Sequence, residues 1–104
     1  MSTRCNIIIK YDTDKEITLY HHHDGYPEGV GADLIARLEK AGKYLDGERL
    51  INSMIKDTED EYEFTSYLAG DAEYIYIVNV DNIEIKYKKR SITSNRWSKE
   101  KKLY

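Results

Sequence analysis

A chain of 104 residues, 40% hydrophobic and 34% charged, has room for one well-hydrated domain around one core. No apolar run approaches the roughly 20 residues that span a bilayer, so no membrane partner is expected. The N-terminal residues enter a strand pattern with no secretory segment, and the single cysteine, Cys5, has no internal disulfide partner, so a cytoplasmic protein is expected.

The net charge of −3 conceals an asymmetry. Lys86 to Tyr104 carry eight Lys or Arg against one Glu, a net +7, whereas the first 85 residues carry eight against eighteen Asp or Glu, a net −10. An acidic body with a basic end implies two surfaces with different partners, or self-association of one with the other as a homo-oligomer. The plainer reading is a solvated, lysine-rich edge that discourages strand pairing.

Asn6–Tyr11 and Glu16–His22 read as a hairpin around a four-residue turn, Asp12 to Lys15, whose side chains bond nearby backbone amides. That loop length sets Tyr11 opposite Glu16, Ile8 opposite Leu19 and Ile7 opposite Tyr20. Ile8, Ile17 and Leu19 would then share one face, and Ile7, Ile9 and Tyr20 the other. Both faces are partly apolar, which places the hairpin inside a sheet.

Ala32–Tyr44 reads as a helix with Leu34, Ile35, Leu38, Ala41 and Leu45 on one stripe. Glu48–Lys56 reads as a second, burying Leu50, Ile51, Met54 and Ile55. Asp57–Glu61 is an acidic loop. Tyr62–Leu68 alternates as a strand with Tyr62, Phe64 and Leu68 on one side, and Gly70-Asp71 is a turn. Glu73–Val80 and Ile83–Lys88 flank Asp81-Asn82, residue types that tolerate the positive φ of a two-residue hairpin turn. In that register Val80 faces Ile83, Val78 faces Ile85 and Tyr76 faces Tyr87, with all six on one face and Glu84, Lys86 and Lys88 on the other.

The order ββααβββ predicts an α+β two-layer sandwich: an antiparallel sheet of about five strands with two helices on one face. Residues 1–90 form this single domain. Residues 91–104 are a basic extension, either a last short strand or a tail pinned by Trp97.

His21 to Asp33 (HHHDGYPEGVGAD) is the chemically densest stretch, with three histidines, three carboxylates, the only proline and three of the six glycines. Strand alternation puts His21 and His22 on opposite faces. His21, His23 and Asp24 are the candidate catalytic set. Their ligand types suit zinc or manganese, but no second spaced pair such as HExxH or CxxC accompanies them, so no metal or cofactor is assigned. Tyr26, Gly29 and Gly31 are the candidate ligand-binding residues, because Gly29-Val30-Gly31 runs into a helix N-terminus where free amides favour a small anion. The alternative is that the loop only builds turns, with at least one of Gly25, Gly29 and Gly31 at positive φ. Ten tyrosines against one phenylalanine favour half-buried, wet aromatic surfaces. Tyr87, Lys88, Lys89, Arg90 and Trp97 are the candidate interaction residues. The basic stretch also suits nucleic acid, which the acidic body disfavours.

The segment Tyr20–Leu34 resembles an aromatic-x-His-x-Asp-Gly-Tyr-Pro pattern of small uncharacterised proteins of phages, prophages and their bacterial hosts, in which a glycine pair and a helix follow. The likeness extends loosely to Ser2, Thr3 and Arg4 and to the late tyrosine-rich hairpin. It implies a mobile-element setting and no mechanism. The residues favour a non-catalytic binding protein acting through protein or small-ligand contact. The alternative is a small metal- or His-dependent phosphoesterase built on His21, His23 and Asp24.

Overall fold

The computed structural model describes residues 3–42, 47–56, 62–66, 68, 70, 72–91 and 96–104. Strands β1 (Cys5–Tyr11) and β2 (Lys15–His21) are followed by a single π turn, Pro27–Gly31. Helices α1 (Ala32–Gly42) and α2 (Gly47–Lys56) come next, then strands β3 (Tyr62–Thr65), β4 (Tyr74–Asn79), β5 (Glu84–Lys89) and β6 (Lys101–Lys102). The expected end of the first helix, together with Leu45, the Asp57–Glu61 loop and Asp71, lies outside the described residues.

The six strands form one sheet in the order β3-β2-β1-β4-β5-β6. The architecture is α+β, as the element order implies, but the sheet is mixed. β1 and β4 run parallel while the other neighbours are antiparallel. The expectation of a five-stranded antiparallel sheet is corrected on both counts. Hydrophobic pattern identifies strands, but it does not say which ones meet after a long connection. The chain passes β2, both helices and β3 before β4 docks on the free side of β1, and that excursion lets two strands align in the same direction. The placement of the first hairpin inside the sheet holds, since β1 and β2 are both flanked.

The β1–β2 register differs by one residue from the expected one. Ile7 pairs with Leu19, Ile8 with Thr18 and Tyr11 with Lys15. Cys5, Ile7, Ile9, Ile17 and Leu19 therefore share the core face, and Ile8 turns to the other. The cause is a three-residue turn. Asp12 and Thr13 both adopt left-handed backbone, at φ 48° and 61°. Their amides are received by the Asp81 carboxylate at 3.2 and 2.8 Å, a group from the distant β4–β5 turn.

The β4–β5 register agrees with expectation: Tyr76 faces Tyr87, Val78 faces Ile85 and Asn79 faces Glu84. Tyr76, Val78, Val80 and Ile85 are fully buried. Ile83 leaves the set, being 39% exposed at φ 52°. The positive φ of this turn thus falls on a β-branched residue and not on Asp81 or Asn82. Leu34 and Leu38 of α1 and Leu50, Ile51 and Met54 of α2 close the core over Ile7, Ile9, Leu19, Val78 and Ile85. β3 is shorter than expected, and of its apolar residues only Tyr62 is buried. Phe64 is 61% exposed because β3 is the sheet's edge and the core reaches only its first residue, and Leu68, which lies beyond the end of the strand, is 50% exposed.

The C-terminal residues extend the same sheet. Arg90 and Trp97 form an isolated bridge, Leu103 N donates to Ile85 O at 2.8 Å, and Leu103 packs against the core.

Candidate functional site

At one end of the sheet, strand pairing sets Tyr62, His21, Cys5 and Tyr74 in a row across β3, β2, β1 and β4. His21 shares the core face with Leu19 and is only 5% exposed. Its ring lies 4.6 Å from the Tyr62 ring and 5.1 Å, edge-on, from that of His23. His22 projects the other way, beside Tyr20, whose hydroxyl lies 3.4 Å from His22 Nδ1. Alternation along a strand therefore keeps one histidine of the three away from the site.

Beyond His21 the chain leaves the sheet in a compact loop. Asp24 takes the left-handed conformation, at φ 54°. Asp is among the few non-glycine types that do so at modest cost. Its carbonyl receives the Val30 amide at 2.8 Å, and Gly29 donates to the Tyr26 carbonyl at 2.9 Å. Pro27, which has no amide to satisfy, opens the π turn, and Ala32 N donates back to the carbonyls of Pro27 and Gly29. Gly25 N donates to Thr3 O at 2.8 Å, and its own carbonyl accepts the buried Tyr76 hydroxyl at 2.6 Å.

No described glycine has positive φ, contrary to expectation. Two loop glycines are required by proximity instead. A Cβ on Gly25 would lie 2.8 Å from Thr3 O and 2.9 Å from Cys5 Cβ, and one on Gly29 would strike the Asp24 carbonyl. The structure thus moves the left-handed position one residue upstream of Gly25 and uses the glycines for close backbone approach.

The loop, β2, β3 and the first turn of α1 enclose a cleft of about 310 Å³ lined by His21, His23, Asp24, Gly29, Asp33 and Tyr62, among others. Asp33 Oδ2 accepts both the Tyr62 hydroxyl and Arg37 Nε at 2.7 Å. Arg37 sits over the Tyr62 ring, 5.6 Å from its centre. His23 Nδ1 stands 3.5 Å from Asp24 Oδ2, and Asp24 Oδ1 accepts the Tyr26 hydroxyl at 3.1 Å. His21 Nδ1 is hydrogen-bonded to the His23 carbonyl. A carbonyl only accepts, so Nδ1 carries the proton, and in the neutral ring Nε2 presents a lone pair.

Burial, reinforced by the bond to Asp33, pushes the Tyr62 phenol well above the usual tyrosine range. Burial does the same to Tyr76 and pushes the Cys5 thiol up to about 12. The Tyr26 phenol is raised by its bond to Asp24.

The structure therefore brings His21, His23, Asp24 and Gly29 to one cleft. Tyr26 is on the loop's outer side, 39% exposed, and meets the site through its hydroxyl bond to Asp24 and through its carbonyl, which accepts from Gly29. Gly31 is buried, where an added Cβ would lie 3.1 Å from Leu103 Cδ2 and 3.5 Å from Tyr76 Cε1, and it does not line the cleft. The anion cradle expected at Gly29-Val30-Gly31 has two of its amides, those of Gly29 and Val30, already donated to backbone carbonyls. Among the described residues, no three His, Cys, Asp or Glu side chains are grouped as a metal centre requires.

Two contributors escaped sequence reading as site residues, Tyr62 and Asp33. Asp33 and Arg37 carried a legible signal, an acid four residues before a base on a helix. Tyr62 carried none, because it reaches His21 only through the β2–β3 pairing.

The candidate interaction residues do not form one patch. Tyr87 is half-buried on the core side with Tyr76, their ring centres 6.2 Å apart, and Lys88 projects from the opposite face. Lys89 lies over the Tyr74 ring at 5.9 Å. Arg90 stacks on Trp97 at 5.9 Å and donates to the Gly70 carbonyl at 2.6 Å.

The chain matches no protein-family model, no curated protein and no solved structure. Among the described residues no helix is long and apolar enough to cross a membrane.

Proposed function

We propose that this protein is a small non-catalytic binding protein that holds a small polar ligand in the cleft between His21, Asp33 and the Asp24–Gly29 loop. The observation that carries this reading is the convergence there of polar side chains held by one another: Asp33 by Tyr62 and Arg37, and His21 by the His23 carbonyl. Pre-organised polar groups in a concavity are what ligand recognition needs, because they cost little further ordering on binding. The nearby groups able to act as nucleophiles are disarmed. The Cys5 thiol is buried and held protonated, and the Tyr62 phenol is buried and committed to Asp33. The likeness of Tyr20–Leu34 to phage and prophage proteins supports a mobile-element setting in the cytoplasm. It says nothing of the ligand.

A fragment screen by thermal shift tests the reading. A ligand present at a hundred times its Kd adds about 2.7 kcal/mol to folding stability, an upward shift easily read. Hits should perturb the amides of Gly29 and Val30. A screen whose only hits leave these amides unmoved would place binding elsewhere.

A second reading, a His-dependent phosphoesterase, is favoured by one observation: His21, His23 and Asp24 all line the same cleft. Hydrolysis of p-nitrophenyl phosphate, with and without added zinc or manganese, separates the two. Turnover that disappears in both His21→Asn and His23→Ala would replace the binding reading with the enzymatic one.

A further inference from the structure

We infer that β3 is a self-association edge: two copies of the chain pair their β3 strands antiparallel about a twofold axis, with Phe64 against Phe64 of the second copy. The inference is independent of the cleft and its ligand. The two edges of the sheet, β3 and β6, are built differently. The β6 edge is defended. Its strand is two residues long, and both are exposed lysines, Lys101 and Lys102. Between the Arg90–Trp97 bridge and the Tyr87–Lys101 pair, the outer segment holds one residue more than the segment it faces, so this edge is bulged. Lysines and bulges both discourage an incoming strand. β3 carries neither. Residues 57–72 contain no lysine, arginine or proline, and Tyr62–Thr65 pair with β2 in unbroken register. Among the described residues no strand lies beyond β3. Phe64, the chain's only phenylalanine, is 61% exposed on it.

The strand that fits this edge is β3 of a second copy. Phe64 pairs with Leu19 and so lies on the helix-bearing face, while Glu63 lies on the other. Residues directly opposite in an antiparallel pair share a face, so with both copies' helices on one side the twofold axis passes through a residue position. An axis at Glu63 would set two carboxylates against each other, which is unfavourable. An axis at Thr65 separates the carboxylates but leaves each Phe64 ring opposite Ser66. An axis at Phe64 sets ring against ring and Glu63 against Thr65 of the second copy, with no like charges opposed. The strand's one charge therefore selects against the wrong register, and its exposed ring selects the right one. Head-to-tail pairing of β3 with β6 is opposed by the β6 bulge. The twofold assembly also closes: both ends of the joined sheet are defended β6 edges, which stop further growth.

The paired strands are short, so the dimer should be weak and concentration-dependent. The test is sedimentation equilibrium of the full chain over about a hundredfold range of concentration. The expected result is a dimer fraction that rises with concentration, with the amides of Glu63, Phe64 and Thr65 shifting in parallel by NMR. Phe64→Lys opposes two ammonium groups at the axis and should raise the dimerisation Kd about tenfold or more. Lys102→Glu, on the far edge, should leave it unchanged. Cross-linking then reads the register. At the axis the two Cα atoms lie about 4.5–5.5 Å apart, within disulfide reach, whereas two copies of position 63 lie across a diagonal of about 7–8 Å. Phe64→Cys should therefore form a covalent dimer under mild oxidation and Glu63→Cys should not, with the buried Cys5 thiol as no competitor. A chain that stays monomeric throughout would overturn the proposal and leave the β3 edge to a strand from a different protein. A dimer that Phe64→Lys leaves intact, or Glu63→Cys linking more readily than Phe64→Cys, would overturn it equally.

Discussion

The Tyr76 hydroxyl is the bolt that holds the Asp24–Gly31 loop to the core, so Tyr76→Phe should loosen the loop more than its size suggests. Tyr76 is fully buried on β4, and its hydroxyl donates to the Gly25 carbonyl at 2.6 Å. Phenylalanine keeps the ring and its packing and removes one oxygen. The Gly25 carbonyl is then left in a buried position with no donor. Leaving one buried acceptor unsatisfied costs about 1–3 kcal/mol, and the absence of a cavity larger than one atom argues for the middle of that range, about 2 kcal/mol. For a domain of this size that corresponds to a fall in Tm of roughly 10 °C. The loss should also be uneven. The Val30 amide, bonded to Asp24 O within the same loop, should exchange with deuterium faster relative to the Ile9 amide in the central strand. Urea unfolding gives the stability change and hydrogen exchange gives its location. Tyr26→Phe serves as control, because its hydroxyl bonds Asp24 at the surface and its loss should leave the urea midpoint unmoved. A Tyr76→Phe variant that loses less than about 0.5 kcal/mol, or whose loop exchange is unchanged, would show that the carbonyl finds water and that the loop is held by packing alone.

Ile83 sits at φ 52°, a conformation that a β-branched residue adopts only under strain, and it is 39% exposed. Ile83→Asn should therefore stabilise the protein by about 1 kcal/mol, read from the urea midpoint, and a destabilised variant would mean that its packing outweighs the strain. Cys5 gives a pH dependence of known sign. The unfolded thiol ionises near 8.5 and the folded one near about 12, so the folded chain keeps a proton that the unfolded chain releases. This contribution to stability is fully present below pH 8.5 and is lost as pH rises toward 12. Between pH 8 and 10 the wild type should lose about 1.9 kcal/mol more than Cys5→Ala, and parallel urea-stability profiles for the two proteins would refute the assignment.

What was legible in the sequence was what short-range chemistry decides. The β4–β5 register was readable because only one alignment of EYIYIVNV with IEIKYK puts Val78, Ile85 and Tyr76 on one side, and burial enforces it. The helical stripes of Leu34 and Leu38 and of Leu50, Ile51 and Met54 were readable for the same reason. The β1–β2 turn was not, because its length is set by Asp81, a carboxylate 68 residues from Thr13 that pins two left-handed residues in place. A strand with isoleucine at three successive positions, Ile7 to Ile9, has apolar groups on both faces and accepts either register until that distant contact decides. The site divides along the same line. The separation of His21 from His22 follows from strand alternation alone. The cleft does not, since it needs β3 to dock beside β2 so that Tyr62 meets His21, and α1 to begin where Asp33 meets Tyr62. Each is a long-range event with no local signature. The residues that make His21 part of a cleft wall rather than an ordinary strand-end histidine are therefore those that only the folded chain brings together. Deleting the Tyr62 hydroxyl should unsettle Asp33 and Arg37 on α1 while leaving the hydrogen bond between His21 and the His23 carbonyl intact, because that bond is made within a three-residue stretch and needs no other element.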